Sequence, residues 1–216
     1  MNAQWLVLAK APVPGRVKTR LCPPCTPAQA ARLAAAALAD TLAVVGASAG
    51  ADHTLVLSGR YVAPAGWRLV PQRGDGLAAR LHHAFHDTRR PGVASLLVGM
   101  DTPQLTPPVL RAAAATLATT AVDGVLGPAE DGGWWLLGLR DPGHADVLRT
   151  VATSTPRTGA DTLAALRRRG LRIATLPSLR DVDTAADARA VAHQCPTLSQ
   201  FSRAVATHLR AEVARP

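Results

Sequence analysis

The chain has 216 residues, 48% of them hydrophobic, which favours a globular protein with a substantial core and excludes a largely disordered one. Its formal net charge of +9 suits a phosphorylated substrate, a nucleic acid or a membrane surface. Three cysteines do not suggest a secreted disulfide framework, and Met1 to Ala9 is predicted to form a strand rather than a signal peptide. The protein is therefore expected to be cytoplasmic.

The pattern of apolar residues predicts strands and helices that alternate along the whole chain. The first helix is predicted to begin at Thr26-Pro27, because threonine is a favoured N-cap and proline is tolerated in the first turn. The strands are predicted from Gln4 to Ala9, Thr54 to Leu57, Trp67 to Val70, Ser95 to Gly99, Gly124 to Gly127, Trp134 to Leu139 and Leu171 to Leu176. Three helices are predicted with both ends: Thr26 to about Val45, Thr106 to about Thr119 and Thr158 to Arg169. Three more are predicted from their position: one that contains Leu77 to Phe85, one that follows the segment Asp181 to Asp187, and one that contains Leu198 to Leu209.

This alternation predicts an α/β protein with a mostly parallel sheet. No linker or repeat interrupts it, so residues 1–216 are expected to form a single domain. No apolar run reaches the roughly 20 residues of a membrane-spanning helix, so no membrane partner is expected. Cys22 and Cys25 have a redox or half-zinc spacing, but no second pair of this kind and no paired histidines complete a zinc site.

The two lysines of the chain, Lys10 and Lys18, lie with Arg16 and Arg20 in one loop after the first strand. Gly15 stands within this basic loop, and backbone amides at a glycine turn can act with several cations to neutralise a di- or triphosphate. The G-x-x-x-x-G-K-[ST] motif of P-loop proteins is absent. The basic loop is interpreted as a phosphate-binding loop, and the alternative is a solvated basic loop.

Asp101 lies just beyond the apolar strand Ser95 to Gly99. Ligands of open α/β sheets bind beyond the carboxyl ends of the strands. A carboxylate at this point is therefore well placed to hold Mg²⁺ or Mn²⁺ against a nucleotide phosphate. The alternative role for Asp101 is a helix cap, but that role is assigned to Thr106, which precedes Pro107.

Two later acidic segments each suit two roles. In Glu130 to Trp135, a double glycine allows close approach of a ligand and tryptophan can stack on a sugar or base, but a tight hairpin turn needs the same residues. Asp181 and Asp183 suit a second metal contact, but Asp183 or Thr184 is also a good N-cap for the next helix. Taken alone, Asp183 is interpreted as the cap.

Four segments match a known family: Ala9 to Leu21, Gly99 to Leu105, Leu126 to Trp134 and Asp181 to Asp187, with Gln72 to Leu81 as a weaker fifth. On these segments the chain resembles a bacterial family of small GT-A-like proteins, once labelled a domain of unknown function, some of whose members are described as arsenosugar-biosynthesis glycosyltransferases. That family is related to the nucleotide-diphospho-sugar transferase superfamily, alongside the molybdenum-cofactor and phospholactate guanylyltransferases. The resemblance implies a three-layer α/β/α sandwich, a Rossmann-like GT-A fold with a mostly parallel mixed sheet.

The resemblance also implies a divalent metal, Mg²⁺ or Mn²⁺, bound by Asp101 with Asp183 as a second contact. Lys18, Asp101 and Asp131 are the expected catalytic residues. The residues expected to bind the nucleotide are Lys10, Pro14, Gly15, Arg16, Lys18, Arg20, Gln72, Arg80, Gly132, Gly133 and Trp134.

The chain departs from the family pattern at two places. Trp134 stands where the family usually has tyrosine after the double glycine, which keeps a stacking surface and loses a hydroxyl. Ala78 and Ala79 stand where glycine and glutamate are usual, which argues against a catalytic role for that helix start.

The expected function is metal-dependent transfer from a nucleotide or nucleotide-sugar donor, with glycosyl transfer to a small-molecule acceptor favoured by the family label. The alternatives are a guanylyltransferase-like nucleotidyltransferase that acts on a phosphorylated small molecule, and a non-catalytic nucleotide-binding protein. A nucleic-acid-binding domain is motivated by the high pI, but scattered arginines, few aromatics and no known motif count against it. No nucleic acid partner is expected.

Overall fold

The computed structural model describes residues 2–48 and 52–209. Two 3₁₀ segments, Thr19–Leu21 and Pro142–Thr150, connect the regular elements. The strands are β1 (Ala3–Lys10), β2 (Asp52–Ser58), β3 (Arg68–Pro71), β4 (Ala94–Gly99), β5 (Gly124–Pro128), β6 (Trp134–Leu139) and β7 (Ile173–Thr175). The helices are α1 (Pro27–Gly46), α2 (Gly76–Thr88), α3 (Pro107–Ala118), α4 (Thr158–Arg168), α5 (Ala185–Gln194) and α6 (Gln200–His208).

The seven strands form one mixed sheet in the order β3-β2-β1-β4-β6-β5-β7. The strands run parallel except β6, which pairs antiparallel with both β4 and β5. The reversal at β6 follows from the short connection after β5, which leaves room for a hairpin and not for a crossover helix. The predicted α/β class with a mostly parallel sheet is therefore confirmed.

Alternate residues of β1 point to two different cores, as the period of a strand requires. Val7 packs with residues of α1 and α3 on one face, whereas Leu6 packs with residues of α2, α4 and the Pro142–Thr150 segment on the other. Helices therefore cover both faces of the sheet, which confirms the three-layer α/β/α sandwich. A third cluster joins the outer side of α1 to α5 and α6.

Threonines cap two of the helices through their side chains. The Thr26 side chain accepts a hydrogen bond from the backbone N–H of Gln29, and the Gln29 side chain accepts one from the Thr26 N–H, which forms a capping box. Thr184 makes the equivalent box with Asp187 at the start of α5. The interpretation of Asp183 as the cap is therefore wrong, because the neighbouring Thr184 takes that position.

Two other expectations about helices need correction. Thr106 occupies the N-cap position of α3, but its side chain makes no capping hydrogen bond. The 3₁₀ segment Pro142–Thr150 has no counterpart among the predicted helices. Its opening Pro-Gly pair is unfavourable inside a helix, and the segment is held instead by burial of Ala145, Val147 and Leu148 against α2 and α4.

The expectation that no apolar segment is long enough to span a membrane is wrong for α1. By length and composition, α1 is the one such helix within residues 2–48 and 52–209, and half of it is buried inside the protein. Leu38 and Leu42 pack toward the sheet, while Leu33 and Ala37 pack toward α5 and α6. Packing on two sides accounts for the apolar composition of α1, as in the core helix of a globular protein.

Candidate functional site

A cleft of about 540 Å³ opens at the carboxyl ends of the central parallel strands. It lies over β1 and β4, between which the order of the strands reverses, and this is where open α/β sheets bind ligands. Lys10 ends β1 and Asp101 follows β4, so both line the cleft for topological reasons. Of the residues expected to act in catalysis or binding, the cleft brings together Lys10, Arg16, Lys18, Arg20, Gln72, Arg80, Asp101 and Asp183.

The basic loop turns sharply before it enters α1. Gly15 has a φ of +74°, and the N–H of Arg16 donates to the carbonyl of Val13. Lys18 itself has a φ of +50°, which is uncommon for a residue with a Cβ. This left-handed residue precedes the 3₁₀ turn Thr19–Leu21, whose Leu21 is fully buried. The loop is therefore a built turn anchored in the core.

The Lys18 ammonium lies between two carboxylates. Its Nζ is 2.5 Å from Oδ1 of Asp101 and 3.4 Å from Oδ1 of Asp183, and it donates a hydrogen bond to the carbonyl of Val182. The Lys18 side chain is only 9% exposed. Burial lowers the pKa of Lys18, but the carboxylates of Asp101, Asp183 and Asp181 outweigh burial and raise it overall. Lys18 is therefore held in its charged form.

Arg20 neutralises the same acidic group from the solvent side. Its Nη1 lies 2.9 Å from Oδ2 of Asp183, and its side chain is 72% exposed. The two oxygens of Asp183 therefore face two different cations, Lys18 on Oδ1 and Arg20 on Oδ2.

Asp181 is a third carboxyl group close to this acidic pair. Its Oδ1 is buried and has no hydrogen-bond partner. Burial, followed by the nearby charges of Asp101 and Asp131, raises the pKa of Asp181 to about 7. Asp181 was expected only as part of an acidic pair with Asp183, and not as a site residue of its own. The available signal was the Asp-Val-Asp pattern itself, which places two carboxyl groups close together in the chain.

Lys10 and Arg16 differ from Lys18 in having no anionic partner. Both residues are exposed at the cleft, and in the described part of the chain neither side chain makes a hydrogen bond or an ion pair. The cleft therefore contains two unpaired cations, and beside them two carboxylates that already share the Lys18 ammonium. This combination suits a ligand with several anionic oxygens.

Gln72 and Arg80 hold the walls of the cleft. The Gln72 side-chain amide donates to the carbonyl of Ala9 at 2.7 Å and to that of Val56 at 3.1 Å, so it ties together the ends of β1 and β2. Arg80 donates from Nε to the carbonyl of Gly74 at 3.3 Å, which fixes the turn before α2. Each side chain has a structural contact in addition to its place in the lining.

Six of the expected residues do not line the cleft. The Asp131 side chain accepts a hydrogen bond from the N–H of Gly133 at 2.8 Å, which is a local turn contact. A Cβ on Gly132 would lie 2.0 Å from the carbonyl oxygen of Pro156, so this glycine is required by backbone packing. Trp134 is partly buried against the core on the α2 and α4 side. The residues outside the lining are Pro14, Gly15, Asp131, Gly132, Gly133 and Trp134.

Eight lining residues were not among the expected site residues, and Met100, Leu77 and Ser154 are three of them. Met100 is buried and its sulfur accepts a hydrogen bond from the N–H of Lys10. Leu77 at the start of α2 is 39% exposed, which is unusual for leucine and provides an apolar surface in the cleft. Ser154 lines the cleft with a φ of +61°. The polar run Thr153-Ser-Thr-Pro156 before α4 was the available signal for a shaped loop.

The carboxylates fit a divalent ion that arrives with an anionic ligand. Within the described ranges, no group of three histidine, cysteine, aspartate or glutamate side chains is arranged to hold a metal by itself. Mg²⁺ is commonly bound by one or two carboxylates together with substrate phosphates, and Asp101 and Asp183 supply that number. Asp181, whose buried Oδ1 has no hydrogen-bond partner, is a third carboxyl group near this pair, and the charge of Asp101 contributes to its raised pKa.

Comparison with solved structures places the fold among nucleotide-sugar transferases and their relatives. The chain is similar to a protein from Desulfovibrio desulfuricans G20, provisionally named a nucleotide-diphospho-sugar transferase, with a TM-score of 0.85 and 25% identity over 96% of this chain and 95% of that one. It shares its fold with Rv0371c from Mycobacterium tuberculosis H37Rv, with a TM-score of 0.55 and 21% identity over 88% of this chain and 97% of that one. Rv0371c has also been solved as a complex with manganese, which matches at a TM-score of 0.52 and 20% identity over 88% of this chain and 98% of that one.

A further fold relative is a CMP:2-keto-3-deoxy-manno-octonic acid synthetase complexed with CTP. It matches with a TM-score of 0.54 and 14% identity over 88% of this chain and 97% of that chain. A search of curated proteins found no match.

The family model described as "Uncharacterized protein conserved in bacteria (DUF2064)" matches residues 29–155. The match contains Gln72, Arg80 and Asp101, while the basic loop and Asp183 lie outside it. The resemblance drawn from the sequence segments is confirmed at this level, since the match spans more than half of the chain. The chain belongs to this family.

Proposed function

We propose that this protein is a metal-dependent transferase whose cleft binds the diphosphate of a nucleotide or nucleotide-sugar donor. The proposal rests on two cations, Lys10 and Arg16, that have no ion-pair partner among the described residues. They lie beside the carboxylates of Asp101 and Asp183 at the carboxyl ends of β1 and β4. Support comes from the name given to the Desulfovibrio relative, and from the CTP and manganese bound by two proteins of the same fold.

In this proposal the residues of the cleft have different roles in binding a polyanion. Lys10 and Arg16 neutralise phosphate oxygens directly, because neither is held by an acidic side chain. Asp101 and Asp183 would hold Mg²⁺ or Mn²⁺, which supplies positive charge to the oxygens that leave with the nucleotide. Gln72 keeps the ends of β1 and β2 in register, so that Lys10 projects from a rigid edge.

We favour glycosyl transfer, in which an acceptor oxygen attacks the sugar carbon and the nucleoside diphosphate leaves. The name given to the relative from Desulfovibrio supports this choice. The second candidate is nucleotidyl transfer, in which the acceptor attacks the α-phosphorus and pyrophosphate leaves. The synthetase solved with CTP, which has the same fold, motivates that candidate.

The test is a panel of nucleoside diphosphate sugars and nucleoside triphosphates, screened by thermal unfolding with and without Mn²⁺. We expect at least one nucleotide to raise the unfolding temperature, and Mn²⁺ to increase that rise, because a ligand that binds the folded state stabilises it. In Asp101→Asn the contribution of Mn²⁺ should disappear. Asp141→Asn is the control, since Asp141 is an exposed partner of Arg89 and does not line the cleft.

Assays of the stabilising ligands then separate the alternatives. Release of a nucleoside diphosphate from a sugar donor supports glycosyl transfer, and release of pyrophosphate from a triphosphate supports nucleotidyl transfer. A nucleotide that binds equally well to Asp101→Asn and is never turned over would favour a non-catalytic binding protein. If no nucleotide stabilises the protein with or without metal, the proposed function is wrong.

A further inference from the structure

Lys18 and a metal ion would compete for the same oxygens. The Nζ of Lys18 is 2.5 Å from Oδ1 of Asp101 and 3.4 Å from Oδ1 of Asp183, and its third contact is the carbonyl of Val182. The three donors of the ammonium are thus matched by three acceptors. Lys18 therefore already occupies the place between the two carboxylates that the proposed function gives to the metal.

The backbone and the surrounding packing keep Lys18 in this place. The residue is fixed in a left-handed conformation, and the turn that follows is anchored by the fully buried Leu21. The side chain is 9% exposed, whereas the other lysine of the chain, Lys10, is exposed and unpaired among the described residues. A charged lysine this well buried is retained because its carboxylate partners compensate for lost hydration.

Both cations cannot share these oxygens. Mg²⁺ takes carboxylate oxygens at about 2.0–2.1 Å, which would bring it within a few ångströms of an ammonium that contacts the same atoms. Like charges at such a separation repel strongly at a partly buried site. Occupation of the carboxylate pair by a metal therefore requires that the ammonium move to another anion, and a diphosphate held by Lys10 and Arg16 would be the nearest new one.

We propose that Lys18 is a positioning residue that occupies the metal site in the free protein. When a diphosphate binds, the ammonium moves to it and the metal can take the site. This inference rests on the proposed function. It makes the binding of metal and diphosphate strongly cooperative. Either ligand binding alone has to overcome the contacts that hold Lys18 between the carboxylates, and this free-energy cost is smaller when both bind. Such coupling is reciprocal. In the free protein, Lys18 also keeps Asp101 and Asp183 paired and correctly oriented.

The test measures Mn²⁺ binding by electron paramagnetic resonance and calorimetry, with and without inorganic pyrophosphate, for the wild type, Lys18→Met and Lys10→Met. Removing the ammonium should tighten binding of Mn²⁺ alone by at least about tenfold, since a positive charge in contact with the site is lost. It should also weaken the coupling between Mn²⁺ and pyrophosphate. Lys10→Met should change the affinity for Mn²⁺ alone much less than Lys18→Met does, because among the described residues Lys10 contacts neither carboxylate, and it should weaken binding of pyrophosphate.

The inference is overturned if Lys18→Met binds Mn²⁺ no more tightly than the wild type while both proteins keep the same coupling to pyrophosphate. That result would leave the proposed function intact. If neither protein binds Mn²⁺ under any of these conditions, the proposed metal dependence fails together with the inference. The two failures are thus distinguishable from the same titrations.

A second variant covers the case in which Lys18→Met does not fold, which circular dichroism would reveal. Arg20 is 72% exposed and contacts Oδ2 of Asp183, so Arg20→Gln removes a cation from the same carboxylate at the surface. Lys18 remains in place, so we expect a smaller gain in affinity for Mn²⁺, about two- to fivefold. Unchanged affinity in Arg20→Gln would then count against competition between side-chain cations and metal.

Discussion

Aspartates at the two ends of the central sheet differ in how they are paired with cations. At the amino ends of β5 and β7, Asp123 has a dedicated arginine: its Oδ2 accepts from the backbone N–H of Arg172 at 2.9 Å and from its Nε at 3.0 Å, and its Oδ1 accepts from Nη2 at 3.0 Å. Asp52 and Arg90 form another such pair near the start of β2. At the carboxyl ends, Asp101 and Asp183 share the ammonium of Lys18, and Arg20 contacts Asp183 from the solvent side.

This difference is visible in the pKa values of the aspartates. The side-chain and backbone hydrogen bonds from Arg172 lower the pKa of Asp123 to about 2, while burial and neighbouring carboxylates raise that of Asp181 to about 7. At the amino end the charges are satisfied within the fold, so they connect chain segments. At the carboxyl end, Oδ1 of Asp181 is buried without a hydrogen-bond partner, and a pKa perturbed in this way is characteristic of groups near ligand sites.

The largest expected effect concerns the unpaired cations. Changing both Lys10 and Arg16 to methionine should weaken binding of pyrophosphate or of a stabilising nucleotide by about 100-fold, because two charge-assisted hydrogen bonds are lost. The free energy of unfolding without ligand should change little, since neither side chain has a partner in the described structure. Calorimetric titration measures the first quantity and denaturant unfolding the second.

Arg111→Met is the matched control for that double variant. Arg111 is exposed on α3 and does not line the cleft, so its loss lowers the net charge without touching the site. If the Arg111 variant loses as much affinity per charge as the double variant, binding would depend on overall charge and not on the cleft.

The next effect concerns the buried carboxyl group of Asp181. Because its folded-state pKa is raised to about 7, the folded protein binds a proton that the unfolded chain has lost, so Asp181 removes stability as the pH rises from about 4 to 7. Asp181→Asn should therefore raise the free energy of unfolding by about 2–4 kcal/mol at pH 8 and by little below pH 4. Urea unfolding at a series of pH values measures this difference.

The pH profile is the decisive part of that experiment. If Asp181→Asn and the wild type differ by the same amount at pH 4 and pH 8, the carboxylate is not destabilised by its surroundings. The comparison between the two ends of the sheet would then lose its main support.

The smallest effect concerns the paired aspartate. The pKa of Asp123 is lowered to about 2, so the ionised carboxylate contributes stability above its unfolded pKa near 4 and loses it as the pH falls toward 2. The side chain is partly exposed, so screening limits the effect of Asp123→Asn to about 1 kcal/mol or less at pH 7. The difference should vanish near pH 2, and a loss that persists there would indicate lost packing and not a lost ion pair.

Much of the framework was predictable because it depends on local patterns. Apolar runs predicted the seven strands, and Thr26-Pro27 predicted the start of α1, since the periodicity of a strand and the chemistry of a cap act over a few residues. The rule that ligands bind at the carboxyl ends of strands predicted a ligand site at Asp101, and the basic loop after β1 predicted a phosphate contact at Lys10. The choice between Asp183 and Thr184 as the cap was beyond this reasoning, because both residue types are good caps.

The sequence by itself determined the α/β alternation, the concentration of both lysines in one loop, and the position of Asp101 after a buried strand. Only the tertiary structure decided that Lys18 turns inward to meet Asp101 and Asp183, while Lys10 stays unpaired. The physical reason is that Lys18 and Val182 are 164 residues apart, and their contact depends on how the loop before α1 closes against the segment before α5. The same closure buries the Asp181 carboxylate and leaves it without a hydrogen-bond partner for Oδ1.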